Sequence, residues 1–332
     1  MSDNKKTELI QLMQRMGDSD LSVSTAAQHE FAKAVQVPLR EVILSGDIVG
    51  NIYEAEVLGP GASTMMPLDL ISPGDMANHV AYTSPGIGRI ADRFVEADYV
   101  MVPTFDIANS IDFALWLVRE ARYNVVGRAL DILNAGFIQK INDTGWFTIL
   151  SAVADRNVLT YDADANAGQF SKRLISLSKV LVRRNGGGNS TSINRGRLTD
   201  IFVSPEGVED VRNWGVEELD EVTRREIYLG AGEEKEVSLF GVNLVALDEL
   251  GEGQAYQNFF TNDLGASIQG SDVELAVGLD LGNRANFHMP IKQQVEVFED
   301  PTYHRRNMMS FYGRGNMGWA VLDNRNVIGL SY

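Results

Sequence analysis

An α+β fold is predicted for this chain, and three observations predict it. Two stretches, about 109–142 and 169–184, keep the 3.6-residue apolar spacing of helices. Between and after them stand short runs with strand character, bounded by glycine and proline. These elements follow no internal repeat, which argues for a mixed sheet flanked by helices rather than a solenoid.

The composition sets the outer limits. The chain has 332 residues, 44% of them apolar, which is enough for two domains or one elaborate one. It has no cysteine, which excludes disulfide scaffolds, zinc ribbons, thiol nucleophiles and iron–sulfur clusters. Twenty-nine basic against 45 acidic residues give a net charge of −16, which favours solubility and opposes nonspecific adhesion to nucleic acid. The opening MSDNKKTELIQLMQRMGDSD is polar and no run of about 18 apolar residues occurs, so folding in the cytoplasm with no membrane contact is expected.

Residues 1–36 hold one weakly amphipathic stretch (Leu9, Ile10, Leu12, Met13, Met16) and read as an extension or arm. From Val37 to Val57, Glu41–Leu44 and Ile52–Val57 are β-like. Residues 58–104 then carry Pro60, Pro67, Pro73, Pro85 and Pro103 among glycines and serines, a density that excludes helix. The far end, Arg89–Val102, is strand-like, so the segment reads as a long β-excursion that packs against something outside its own domain.

A helix is predicted to start at Asn109, with Asn109 as N-cap and Asp112 in the first turn, and to run to about Asn142, roughly 50 Å. One apolar stripe (Ile111, Leu115, Val118, Val125, Ala129, Ile132) and a second (Leu117, Val126, Leu130, Leu133, Phe137, Ile141) predict that two of its faces are covered. Gly127 and Gly136 predict close contact or bending. The polar Tyr161–Gly168 leads into the second helix, with Phe170, Leu174, Leu177 and Leu181 on one face, and Asn185–Ser190 ends it. Leu198–Val203 reads as a strand, Ser204-Pro205-Glu206 as the cap of a short helix to Trp214, and Val237–Leu247 as a strand pair around Phe240-Gly241. Residues 307–322 read as one or two late strands.

Two local patterns could carry chemistry. Gly313-x-Gly315-x-x-Gly318 spells a dinucleotide fingerprint, but only fourteen β-like residues follow where a helix and a later acid are needed, so a structural turn is favoured. Asp162-x-Asp164-x-Asn166 opens like a calcium loop, yet Ala167 and Arg173 stand where glycine and glutamate belong, so a turn and helix cap is favoured. No catalytic, cofactor-binding or metal-ligating set is assigned, and no enzyme activity is expected. Charge is distributed unevenly. Between Gly168 and Thr199 there are seven basic residues (Lys172, Arg173, Lys179, Arg183, Arg184, Arg195, Arg197) and no acid, whereas Glu206–Glu252 holds fourteen acids and four bases. The basic stretch offers only Phe170 for base stacking, so contact between copies of the chain is favoured over a nucleic-acid patch.

Taken in order, these elements resemble the major capsid proteins of tailed bacteriophages with the Hong Kong 97-type fold. The most specific local matches are Leu198–Trp214, similar to the family's strand, Ser/Asn-Pro and amphipathic helix, and Leu239–Leu247, similar to its following glycine-centred strand. The resemblance covers about 40–332 and implies an N-terminal arm (1–40), the start of a peripheral domain (41–57), an extended β-loop (58–102), a long spine helix with peripheral domain (103–155), an axial domain (156–280) and a return to the peripheral domain (281–332). It implies a structural protein that self-assembles into hexamers and pentamers of an icosahedral head around double-stranded DNA, bound without sequence specificity. Implied partners are a portal protein and a separate scaffolding protein, because the N-terminal extension is short, with a cementing protein as a further candidate. Some relatives crosslink a lysine of the extended loop, but no lysine lies between Lys33 and Lys140 here, so noncovalent stability is expected. Candidate subunit-interface residues are Arg89, Arg93 and Glu96 on the loop, and Lys172, Arg173, Arg183, Arg184, Arg195, Arg197, Glu217 and Glu218 in the axial stretch. The alternatives are an encapsulin-like nanocompartment shell and a cytoplasmic metal- or nucleotide-dependent enzyme.

Overall fold

The computed structural model describes residues 11–12, 15–16, 26–32, 48–59, 61–68, 98–114, 116, 123–156, 159–166, 168–185, 196–214, 237–268, 272–300 and 308–332. In chain order these form α1 (Ile48–Ile52), β1 (Glu54–Val57), β2 (Met65–Leu68), β3 (Asp98–Met101), β4 (Phe105–Ala114), α2 (Tyr123–Arg156), β5 (Leu159–Thr160), α3 (Lys172–Asn185), β6 (Asp200–Val203), α4 (Pro205–Asn213), β7 (Val237–Leu239), β8 (Val242–Ala246), α5 (Ala255–Asn258), β9 (Leu275–Leu279), β10 (Phe287–Asp300), β11 (Met308–Met317), β12 (Ala320–Val321) and β13 (Val327–Ser331). A π-helical turn, Phe259–Asp263, and two 3₁₀ turns, Leu281–Asn286 and Asn324–Asn326, complete the set. Helices and sheets are mixed, as predicted.

The chain divides into two compact units, one of residues 1–65, 101–145 and 287–320, the other of 66–100, 146–286 and 321–332. The first unit is built on a sheet ordered β1-β10-β11-β4. Its long central strands β10 and β11 are antiparallel, with Val297 opposite Gly313, and β4 runs antiparallel along the far side of β11, with Asn109 opposite Gly313. The inner face of β11 is buried at Met309, Phe311 and Met317. Leu133, Phe137 and Ile141, spaced four apart on α2, form the buried helical stripe of the same unit. Residues 26–32 are helical, which the sequence pattern did not predict, and Phe31 packs on Phe311 with ring centroids 5.4 Å apart.

The helix predicted at 109–142 needs correction. Residues 105–114 are the strand β4, and the helix runs from Tyr123 to Arg156, about 51 Å at 1.5 Å per residue. Asn109 is no N-cap. Ile107, Asn109, Ile111 and Phe113 share one face at the two-residue period of a strand, and Ile107 and Phe113 on that face are buried. The helix continues past Gly145 because Trp146, Ile149, Leu150 and Val153 are buried, and tertiary burial outweighs the weak helix propensity of glycine. Two covered faces were predicted, but Ile132 is exposed, so that stripe is not covered there. Gly136 does mark a close approach. A Cβ at Gly136 would lie 2.7 Å from Asn109 Nδ2, whose amide reaches the Leu133 carbonyl.

The second unit carries a six-stranded sheet ordered β5-β13-β9-β6-β8-β7. β6 is parallel to β8 (Asp200 opposite Asn243) and antiparallel to β9, and β13 lies antiparallel to β9 and parallel to β5. Helices α3 and α4 share one core with this sheet, made by Phe170, Leu174, Val182, Ile201, Val211, Trp214, Leu244 and Ile328 among others. Ser204 caps α4 as predicted, its hydroxyl accepting the Gly207 N–H at 3.0 Å with Pro205 in the first turn. The same buried hydroxyl lies 2.8 Å from the Tyr332 hydroxyl and bonds the Glu274 carboxylate. At the end of α2, the Arg156 guanidinium donates to the carbonyls of Asn324 and Val327, and burial lowers its pKa.

Candidate assembly surfaces

The glycine triad and the acidic triplet are both occupied by structure. Gly313 and Gly315 lie within β11 rather than in the predicted turn, and only Gly318 falls just beyond its end. A Cβ at Gly313 would stand 2.8 Å from the Phe137 ring, and one at Gly315 2.9 Å from Val295 Cγ2. At Gly318 it would run into the Pro103 carbonyl oxygen. The glycines therefore make room for neighbours in the protein, and the space a phosphate would need is filled.

Asp162, Asp164 and Asn166 form a turn and cap, as favoured. Asp162 accepts the Asp164 N–H at 3.2 Å and the Ser171 hydroxyl at 2.6 Å, and Ser171 in turn caps α3 through the Leu174 N–H at 3.1 Å. Arg173 pairs with Asp164 and lies 3.5 Å from Asp162, so a cation already sits where a metal would be held. Among the described residues no group of three or more His, Asp or Glu side chains is placed to hold a metal ion. A cavity of about 740 Å³ lies beside this turn, lined by Phe170, Arg173, Asp210 and Trp214 among others. Burial raises the Asp210 pKa, opposed by the Phe170 N–H bond to its carboxylate at 2.9 Å.

Of the candidate interface residues, Arg89, Arg93, Glu96, Arg195, Glu217 and Glu218 lie outside the described residues. Lys172 and Arg173 open α3, Arg183 and Arg184 are exposed in its last turn, and Arg197 is exposed on the approach to β6. Arg173 is engaged within the chain by Asp162 and Asp164. The Arg197 backbone N–H donates to Asp280 at 2.7 Å, and that bond opposes the desolvation that raises the Asp280 pKa.

Sequence reasoning missed two exposed apolar features. The ribbon formed by β2 and β3 carries Met65, Tyr99, Val100 and Met101 on its surface, with Met101 69% exposed. Phe240 is also solvent-exposed, at the tip of the β7–β8 hairpin. The signal was present in the letters: an aromatic residue stands before Gly241 where a tight hairpin usually takes asparagine or aspartate.

On the edge of the first sheet, Asp106 accepts from Asn316 Nδ2 at 2.7 Å and Arg314 Nη2 at 2.6 Å, and these two bonds lower its pKa. A lowered native pKa stabilises the fold above the unfolded-state value, about 4, and that contribution is lost as pH falls through the native value. Asp106→Asn should therefore lower the melting temperature slightly at pH 6, and that deficit should shrink as the pH falls below about 4. A deficit that stays constant with pH would show that charge is not involved.

Comparison with known proteins rests on structure, since no protein-family model and no curated protein sequence matches the chain. A chain from the capsid of an empty GTA particle superposes with a TM-score of 0.52 at 13% identity, covering 86% of this chain and 91% of its own. A chain from the head of Helicobacter pylori bacteriophage KHP40 gives 0.52 at 9%, covering 85% and 88%. The fold is that of phage capsid subunits. A third structure, from Microbacterium phage Oxtober96, aligns at 0.55 and 11% identity over 86% of this chain and 90% of its own.

Proposed function

We propose that this chain is a major capsid protein of the Hong Kong 97 type, which assembles as hexamers and pentamers into an icosahedral phage head around double-stranded DNA. The carrying observation is the capsid fold, matched over nearly nine-tenths of the chain. The exposed ribbon β2–β3 supports the reading, because Tyr99 and Met101 at the surface suit burial against a neighbour. The chain acts as structure in this reading, and the two motifs behind the enzyme alternative do not support it, because Phe137 and Val295 crowd Gly313 and Gly315 and Arg173 occupies the acidic turn. Assembly takes place in the host cytoplasm with a separate scaffolding protein and a portal, and a cementing protein is a further candidate partner of the finished shell.

Electron microscopy of the full chain coexpressed with a scaffolding protein tests this. Closed shells with hexameric and pentameric capsomers are the expected result. A chain that stays monomeric across concentration and scaffold overturns the proposal. Shells that close without scaffold and hold protein cargo point to the nanocompartment alternative.

A further inference from the structure

The second unit is polar along its sheet. At one end, Leu239 and Val242 pair across the two-residue turn Phe240-Gly241, in which both residues have positive φ, 53° and 72°. This is the turn in which glycine or asparagine is usual, and among the described residues Phe240 is the one non-glycine with positive φ. A bulky side chain there is strained, and surrounding contacts must hold it. Two lysines of α3 do so: Lys172 Nζ lies 5.3 Å from the ring centroid, and Lys179 Nζ donates to the Phe240 carbonyl. The ring is nonetheless 47% exposed, so this end presents a fixed aromatic knob in a basic collar.

At the other end, the parallel strands β6 and β8 both run out into acids. Glu206 follows β6, and Asp248, Glu249 and Glu252 follow β8, all four exposed. The two loops touch, since a Cβ at Gly251 would lie 3.4 Å from Glu206 Oε2. The five-residue strand β8, Val242–Ala246, stands between Phe240 and Asp248 and spans about 16 Å at strand rise, so the basic and acidic ends do not meet within one chain.

We propose that these ends join head to tail between copies of this chain, the Phe240 knob with Lys172 and Lys179 seating on the acidic end, Glu206, Asp248, Glu249 and Glu252, of the next copy. Head-to-tail contacts close into rings, and opposite charge sets their register. An exposed aromatic held rigidly supplies apolar contact at little entropic cost. The inference deepens the capsid reading by naming the residues that join subunits within a capsomer.

Charge swaps test it on the full chain, with assembly followed by sedimentation and electron microscopy. Lys172→Glu with Lys179→Glu, and Glu206→Lys with Asp248→Lys, Glu249→Lys and Glu252→Lys, should each lower assembly at least tenfold, because every junction then meets like charge. A one-to-one mixture of the two variants should restore even-membered rings, since each altered head meets an altered tail. Phe240→Gly should weaken assembly without lowering the melting temperature of the monomer, because glycine adopts the same turn unstrained. Variants that assemble as the parent does, a mixture that fails to recover, or a Phe240→Gly defect that tracks lost monomer stability each overturn the proposal. Loss of duplex DNA retention with normal assembly does so too, and marks the basic end as a nucleic-acid surface. If charge-dependent rings form but no shell closes, the capsid reading fails and the junction stands. If shells form regardless of these charges, the reverse holds.

Discussion

Trp146→Ala is expected to cost the second unit about 4 kcal/mol, the usual range for emptying a buried aromatic site. Trp146 is 1% exposed, meets Phe202 edge-on at 4.9 Å and stacks with Tyr256 at 6.0 Å. It therefore joins the long helix α2 to a central strand, β6, and to α5. Since a domain holds a margin of only about 5–15 kcal/mol, the variant should unfold at markedly lower urea and expose the site to hydrophobic dye. The indole Nε1 is buried with no hydrogen-bond partner among the described residues, so the loss measures packing rather than a polar contact. Trp146→Phe keeps most of the ring and should cost no more than about 1.5 kcal/mol. Equal losses for the two variants would show that the indole, not ring volume, is what matters.

The second large effect is expected at Gly313. A valine there would drive its branched side chain into Phe137, which is fully buried on α2, so neither side can yield easily. Gly313→Val should cost about 3 kcal/mol, the upper end of the overpacking range. Phe137→Leu made in the same chain should recover part of that loss, because a smaller partner reopens the space, and the double-mutant cycle reads the coupling directly. Urea midpoints of the four proteins check it. Additive losses would mean that Gly313 is required for some reason other than its contact with Phe137.

These two sites also show where sequence reading stopped. The motif Gly313-x-Gly315-x-x-Gly318 is legible as letters, but its meaning depends on what faces it. In β11 it faces a helix residue 176 positions earlier in the chain, which no local pattern encodes. The misplaced helix has the same origin. Asn109 followed by Asp112 matches a helix start, yet the alternation of Ile107, Ile111 and Phe113 satisfies a strand equally well, and pairing with β11 decided between them. Where local chemistry and tertiary demand agree, the sequence was enough. The Ser204-Pro205 cap, the hairpin around Phe240-Gly241 and the second helix, predicted at about 169–184 and found as α3 at Lys172–Asn185 with Phe170 just before it, all lie within a residue or three of their predicted places.

The candidate surfaces divide in the same way. Charge composition is linear along the chain, so the basic stretch before β6 and the acidic stretch after it can be counted directly from the letters. The positions of those charges in space cannot. Arg173 belongs to the basic stretch but is spent inside the chain on Asp162 and Asp164, whereas Lys172 and Lys179 converge on an aromatic turn 61 or more residues away.

What the sequence by itself determined was the mixed class of the fold, the capped and amphipathic local elements and the asymmetry of charge, because each depends on neighbours a few residues apart. Only the tertiary structure decided that the glycine triad is a packing device, that the long helix ends at Arg156 and that Phe240 stands out in a basic collar. The reason is physical: burial and clash are set by residues distant in the chain, and they outweigh local preferences of about 1 kcal/mol.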